Sequence, residues 1–296
     1  MSPLLRRSAE VLRRLARRKG ALLGLLFMGV LILTTSLARW ILPFDALTQD
    51  FSAILQGPNR VHWFGTDELG RDILARVVVG ARTSLITAGG AVAIAAIIGV
   101  PIGLVAGFFG GWRDTLLMRF VDVLLSLPGI LFAMALIAVL GRSQTAALIA
   151  VGITGIPSFA RITRAQVLSL RKRDFVTAVE ALGGSASYNM FRTVLPNSWS
   201  PILVQVVILS SVAILIEASL AFLGVGIPPP TPSWGEMLRT GKTFLYDSPT
   251  YAILPGLVLT LTILSLDAIG RGLAGVLADR HEDVAEGNTA AAGSRS

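Results

Sequence analysis

Residues 161–196, RITRAQVLSLRKRDFVTAVEALGGSASYNMFRTVLP, form a polar, arginine-rich insert between two apolar segments. Leu168, Phe175, Val179 and Leu182 recur at helical spacing, which predicts one apolar face. Gly183 and Gly184 can take the left-handed conformation that ends a helix. Ser185 then caps a short second helix on which Tyr188, Phe191 and Leu195 share a face, stopped at Pro196. A pair of short helices with an apolar stripe, held beside a membrane, suits docking into a groove of another protein.

The membrane is implied by everything around this insert. Of 296 residues, 53% are hydrophobic and 15% charged, and the mean hydropathy is +0.70. About 20 apolar residues are needed to cross the hydrocarbon as a helix. Six stretches qualify: 21–42, 84–108, 117–140, 146–159 with its flanks, 201–223 and 251–273. Thr154-Gly155-Ile156-Pro157 predicts an interruption in the fourth, and Ser126 with Pro128 a kink in the third. The basic start of the first stretch is like a signal peptide, but its length and the sequence Leu37-Ala38-Arg39-Trp40 favour a retained helix.

Charge predicts the orientation. Arg6, Arg7, Arg13, Arg14, Arg17, Arg18 and Lys19 face only Glu10 in the first 20 residues, which puts the N-terminus in the cytoplasm. Six spans then place the C-terminus and residues 161–196 on the same side. Residues 43–80, with Asp45, Asp50, Asp67, Glu68 and Asp72 against three arginines, fall outside and are net acidic. The net charge of +8 is therefore a matter of membrane orientation, and nucleic acid is not indicated as a partner. The chain has no cysteine and two histidines, His62 and His281, which argues against disulfides and against thiolate or imidazole metal sites.

Several residues carry separate expectations. Glu217 lies inside the fifth span, where an unpaired carboxylate is expensive, so it should face the bundle, either lining a path or bonded to a neighbouring helix. Arg119 with Asp122, and Asp267 with Arg271, are spaced to pair along their helices. Gly65 and Gly70 bracket an acidic turn in which Asp67 is placed to cap a helix containing Leu69 and Leu74. Pro228–Pro230 should be stiff and extended, with Trp234 at the membrane interface. Residues 235–243 end in Gly241-Lys242-Thr243, but the spacing is one residue too long for a phosphate loop and no hydrophobic strand precedes it.

With Thr177-Ala178-Val179, Gly183 and Leu195-Pro196 in place, residues 161–196 resemble the EAA loop of bacterial ABC importer permeases. Thr177 stands where that family has Glu, and Val179 and Thr193 replace its usual Ala and Ile. His62-Trp63-Phe64-Gly65-Thr66-Asp67-Glu68-Leu69-Gly70-Arg71-Asp72, followed by Gly80-Ala81-Arg82-Thr83-Ser84-Leu85, resembles the outward segment of dipeptide/oligopeptide-type permeases. Ala106-Gly107-Phe108-Phe109-Gly110-Gly111-Trp112-Arg113-Asp114 resembles their second-to-third helix turn. Phe222-Leu223-Gly224-Val225-Gly226-Ile227-Pro228-Pro229-Pro230, with Ser233-Trp234-Gly235-Glu236-Met237-Leu238, resembles the loop after their fifth helix.

The resemblance implies an all-α integral membrane protein with six transmembrane helices and a type I ABC importer permease (MetI-like) core, in a bacterial plasma (inner) membrane. Residues 1–82 would be a basic tail, first helix and outer connector, 83–276 the five-helix core, and 277–296 a disordered tail. It implies no cofactor in this chain: ATP and Mg would be bound by two partner ABC ATPase subunits, one of them docked on residues 161–196. Further implied partners are a second permease and an extracytoplasmic solute-binding protein. The solute would be a short peptide, although nickel chelates, glutathione, opines and oligosaccharides are also moved in the family. The outer segments would serve as scaffold, gate or docking surface. An ion-coupled secondary transporter is the alternative, disfavoured because Glu217 is the only carboxylate well inside a span. A membrane anchor for a signalling partner would not need so many Gly, Pro and Ser residues within spans.

Overall fold

The structure is a computed structural model that describes the backbone of residues 13–293 and the side chains of residues 13–277. Arg6, Arg7 and Glu10 of the basic N-terminal run therefore lie outside the described residues. Helix α1 (Lys19–Ser36) leads to a connector, residues 43–72, on which α2 (Ile73–Phe109) begins. Then follow α3 (Gly111–Leu125), α4 (Gly129–Leu140), α5 (Gln144–Leu170) and α6 (Asp174–Ala181). Three short helical turns reach Asn197, and α7 (Trp199–Phe222), α8 (Trp234–Gly241) and α9 (Thr250–Gly293) complete the chain. Among the described residues, five helices are long and apolar enough to cross a membrane, and α3 with α4 forms a bent pair that brings the number to six when counted as one broken span.

Two expectations are corrected. The third span is not one kinked helix: α3 and α4 are bent by 84° at residues 126–128. Pro128 has no N–H to donate and disfavours helix at Leu127, so the chain stops and restarts there. The fourth span is not interrupted either. Helix α5 runs 27 residues straight through Pro157, because Gly155 is a packing point rather than a break: a Cβ there would lie 2.9 Å from Ala95 Cβ and 2.8 Å from a Leu209 methyl. The backbone of α9 continues to Gly293, and the side chains beyond Leu277 lie outside the described residues.

The centre of the bundle is the pair α2 and α5. Gly99, Gly103 and Gly107 recur every four residues on α2, and a Cβ on each would meet backbone of α5: Ile156 O at 2.6 Å, Ala160 O at 2.2 Å and Arg164 O at 2.9 Å. Gly152 answers from α5 against Ala91 and Ile94. Lipid tails are as apolar as leucine, so helices in a bilayer associate through this kind of close backbone approach. Ala88, Ala91, Ala95, Ala147 and Ala150 are buried along the same seam. Helix α1 packs on the outside of α9 and α2 and keeps Leu23, Val30 and Leu33 exposed, as a lipid-facing helix does.

Candidate functional site

At one end of the bundle, residues 161–196 build a rigid exposed shoulder. Helix α6 ends in a Schellman motif: Gly183, at φ 82°, donates to Glu180 O and Gly184 to Val179 O. That conformation costs an L-residue energy that glycine does not bear. Ser185 then accepts from Tyr188 N at 3.2 Å. Asn189, fully buried, braces the two halves by donating to Val176 O and Glu180 Oε1. No spacing rule marked Asn189; its position in a run of polar residues hid it.

Val176, Met190 and Val194 pack with Leu104, Phe108 and Val167 in a small second core. Phe175, Leu182, Tyr188 and Phe191 are left exposed, Leu182 at 88%. Thr177 and Ala178 are exposed and Val179 half-buried beside Gly184. Two details of the sequence reading change. Leu168 belongs to α5, separated from Phe175 by the turn at residues 171–173, so it does not continue the α6 face. Leu195 turns toward the second core, because residues 189–194 form a π-helical turn that advances the register.

The shoulder is tied to α3. Arg164 Nε and Nη2 both reach Asp114 at 2.6 Å, a bidentate fork. Arg161 takes Asp122 at 2.8 Å, so Asp122 pairs across helices and not with Arg119 as its spacing suggested. Asp267 and Arg271 do pair, at 2.5 Å.

Toward the Phe222 end of α7, Glu217 is 1% exposed. Both its oxygens are buried, and its polar neighbour is the buried hydroxyl of Ser84 on α2, with no well-formed hydrogen bond between them. A cavity of about 130 Å³ opens nearby, lined by Ala91, Thr154, Gly155, Ser158 and Ile216 among others.

The opposite end is closed by a buried ionic cap that gathers most of the outer residues singled out by motif. Asp67 accepts from Leu69 N and Arg71 N, both at 2.9 Å, and pairs with Arg71 Nε at 2.6 Å and Arg76 Nε at 3.2 Å. Arg71 also reaches Glu68 at 3.0 Å. Asp67 is thus a turn organiser and not a helix cap; Asp72 caps α2, accepting from Ala75 N at 2.8 Å while holding His62 at 3.0 Å. Gly70, at φ 71°, approaches Asp50 O so closely that no side chain would fit. Thr66 bonds Ala53 O, and Gly65 is buried at φ 79°. From 160 residues away, Glu236 on α8 receives Arg76 Nη2 at 3.2 Å. Trp234 is not at an interface but fully buried, its Nε1 donating to Val77 O at 3.1 Å. Pro228 is half-buried and Pro229 exposed on the loop before α8. Arg76 and Glu236 join the site only through folding.

The bundle thus carries one broken span, an exposed apolar shoulder at one end and a buried ionic cap at the other. Residues 99–280 match the family of the binding-protein-dependent transport system inner membrane component, and residues 7–58 match the N-terminal transmembrane domain of oligopeptide transport permease C. The chain is 40% identical over 264 residues to the dipeptide transport system permease protein DppC of Alkalihalophilus pseudofirmus, covering 89% of this chain and 87% of that protein. It is 42% identical over 265 residues to the glutathione transport system permease protein GsiD of Escherichia coli, covering 89% and 88%. Among solved structures, the MetNI methionine ABC transporter superposes at a TM-score of 0.55 with 17% identity, over 68% of this chain and 97% of that one. An amino acid ABC transporter with histidines gives 0.54 and 15%, over 68% and 94%; both show the fold.

The chain belongs to the family of inner membrane components of binding-protein-dependent transport systems. It is a multi-pass permease of the peptide ABC importer type, C component, and that membership implies ATPase and binding-protein partners.

Proposed function

We propose that this chain pairs with a second permease to form the path for short peptides, with residues 161–196 in the cytosol receiving force from one of two ATPases. The basic N-terminus and the acidic outer connector support that orientation, with residues 83–276 as the transport core. Relatives named for dipeptide and glutathione transport support a short-peptide solute. In this reading the chain performs no chemistry: ATP and Mg are held by the ATPases, and a solute-binding protein delivers to the capped end.

The observation that carries the proposal is the exposed quartet Phe175, Leu182, Tyr188 and Phe191 on a shoulder locked by Gly183 and Asn189. With Thr177 exposed in place of the family's Glu, docking rests on apolar area more than on a carboxylate at that position. Leu182→Asp with Phe191→Asp should leave membrane insertion intact, reduce ATPase co-purification at least tenfold, and abolish transport in proteoliposomes of the full complex. Wild-type ATPase retention by this double variant would reject the docking role. Accumulation of peptide by this chain alone on a proton or sodium gradient would favour secondary transport instead.

Glu217 is assigned to the path side of the bundle, near the outer gate. Burying a carboxylate with only the Ser84 hydroxyl beside it costs several kcal/mol, so its place between α7 and α2 needs a reason beyond packing. Glu217→Gln should preserve assembly and change transport or basal ATPase activity several-fold. Glu217→Leu, at equal expression, should do the same. Normal transport by both variants would reduce Glu217 to a structural group.

A further inference from the structure

A second cavity, about 340 Å³, lies at the outer end of α1, between that helix, the start of the connector and α2. Its lining includes Thr35, Ser36, Arg39, Asp45, Val79 and Arg82. The two arginines come from elements far apart in sequence, and both are exposed. Neither has an ion-pair partner among the described residues; Arg39 lies over the Trp40 ring, 5.0 Å from its centroid. The carboxylate in the lining, Asp45, is engaged with Leu47 N at 2.8 Å. The cavity therefore carries two guanidinium groups against one committed carboxylate.

Its level in the membrane follows from the sequence on both walls. The apolar run of α1 ends at Ser36, just before Arg39-Trp40, and Trp40 is 71% exposed, as tryptophans in the headgroup belt are. On α2 the uninterrupted apolar run begins at Ser84, two residues past Arg82. Below the arginines, Ile32 and Leu33 of α1 are exposed to the hydrocarbon. Positive donors are thus gathered at headgroup depth above a surface suited to acyl chains.

We propose that this cavity binds the headgroup of an anionic phospholipid from the outer leaflet, with Arg39 and Arg82 on the phosphodiester and the Ser36 hydroxyl as a neutral donor. Guanidinium is the side chain best matched to phosphate oxygens, and two of them lining one cavity hold an anion better than either alone. The acyl chains lie along α1, which packs on α2 and α9, so the lipid fastens the peripheral helix to the core. Free inorganic phosphate shares the headgroup chemistry but has no use for the apolar wall.

The test uses the assembled transporter, delipidated in mild detergent and re-exposed to phosphatidylglycerol or phosphatidylcholine, with retained lipid counted by native mass spectrometry. The wild type should retain phosphatidylglycerol and not phosphatidylcholine. Arg39→Gln with Arg82→Gln should lower that retention about tenfold, while Arg60→Gln, an exposed arginine elsewhere on the connector, should not change it. Millimolar inorganic phosphate should not displace the lipid. Equal retention of both lipids, or of phosphatidylglycerol by wild type and double variant, overturns the proposal. Displacement by phosphate would reassign the cavity to a free anion. If the double variant loses binding-protein docking and keeps its lipid, the cavity belongs to that protein instead.

Discussion

Arg76→Met is expected to destabilise the assembled protein by about 3–5 kcal/mol, the range for removing one partner of a buried ion pair. Arg76 is 1% exposed and lies between Asp67 and Glu236, at 3.2 Å from each. Methionine fills much of its volume, so packing is nearly conserved and the loss is electrostatic. Two carboxylates remain in a site closed by Trp234 and Tyr251, both fully buried. The consequence should be local first: the connector, α8 and the start of α9 lose their common anchor and become cleavable by protease from outside. Arg76→Lys keeps the charge and loses the fork, and should fall between. Adding Glu236→Gln to Arg76→Met should recover part of the stability by removing one unpaired charge, which a double-mutant cycle measures. Thermal unfolding of the purified complex at the wild-type midpoint in Arg76→Met would show that the pairing is energetically idle.

Gly103→Val should be as severe at the other end of the same helix. A Cβ on Gly103 would stand 2.2 Å from Ala160 O and 2.8 Å from Thr163 Cβ. The first obstacle is backbone and cannot rotate away, so α2 and α5 must separate. Overpacking a core costs roughly 1–3 kcal/mol where side chains can yield; here the expected loss lies at or above the top of that range. Because α5 leads directly into the shoulder, surviving protein should also show weakened coupling of ATP hydrolysis to transport. Gly89→Ala, on the same helix but with nothing within 4 Å of the added carbon, is the control and should be silent. Equal yield and thermal midpoint for Gly103→Val and wild type would contradict the close approach on which the central pair rests.

Much of this architecture was legible because the bilayer makes simple demands of a chain. Long apolar runs had to become spans, and the ends of α7 fall within two residues of those expected from hydropathy. Gly183-Gly184 and Ser185 are local signals whose hydrogen bonds close within six residues, so the turn after α6 could be read before any folding was known. The family motifs likewise pointed to the shoulder and the cap.

Local rules misjudged what neighbours decide. Pro157 reads as a break, yet close packing on α2 and α7 carries the helix through it; Pro128, without such support, ends one. Asp122 reads as a partner for Arg119 and instead crosses to Arg161. Trp234 reads as an interfacial residue and is buried under α2, where a backbone carbonyl satisfies its N–H.

By itself, the sequence determined the membrane class, the approximate spans, the family and the turn geometry of the shoulder. These depend on hydrophobic length, on charge sums and on bonds between residues close in the chain. Only the tertiary structure decided which charges meet, that Arg76 joins Asp67 to Glu236, and that Arg39 and Arg82 share one cavity. It also decided which apolar residues of the shoulder are buried and which remain for a partner. Pairings over 160 residues depend on how helices are placed, and that placement is set by glycine contacts and packed volumes summed over the whole bundle.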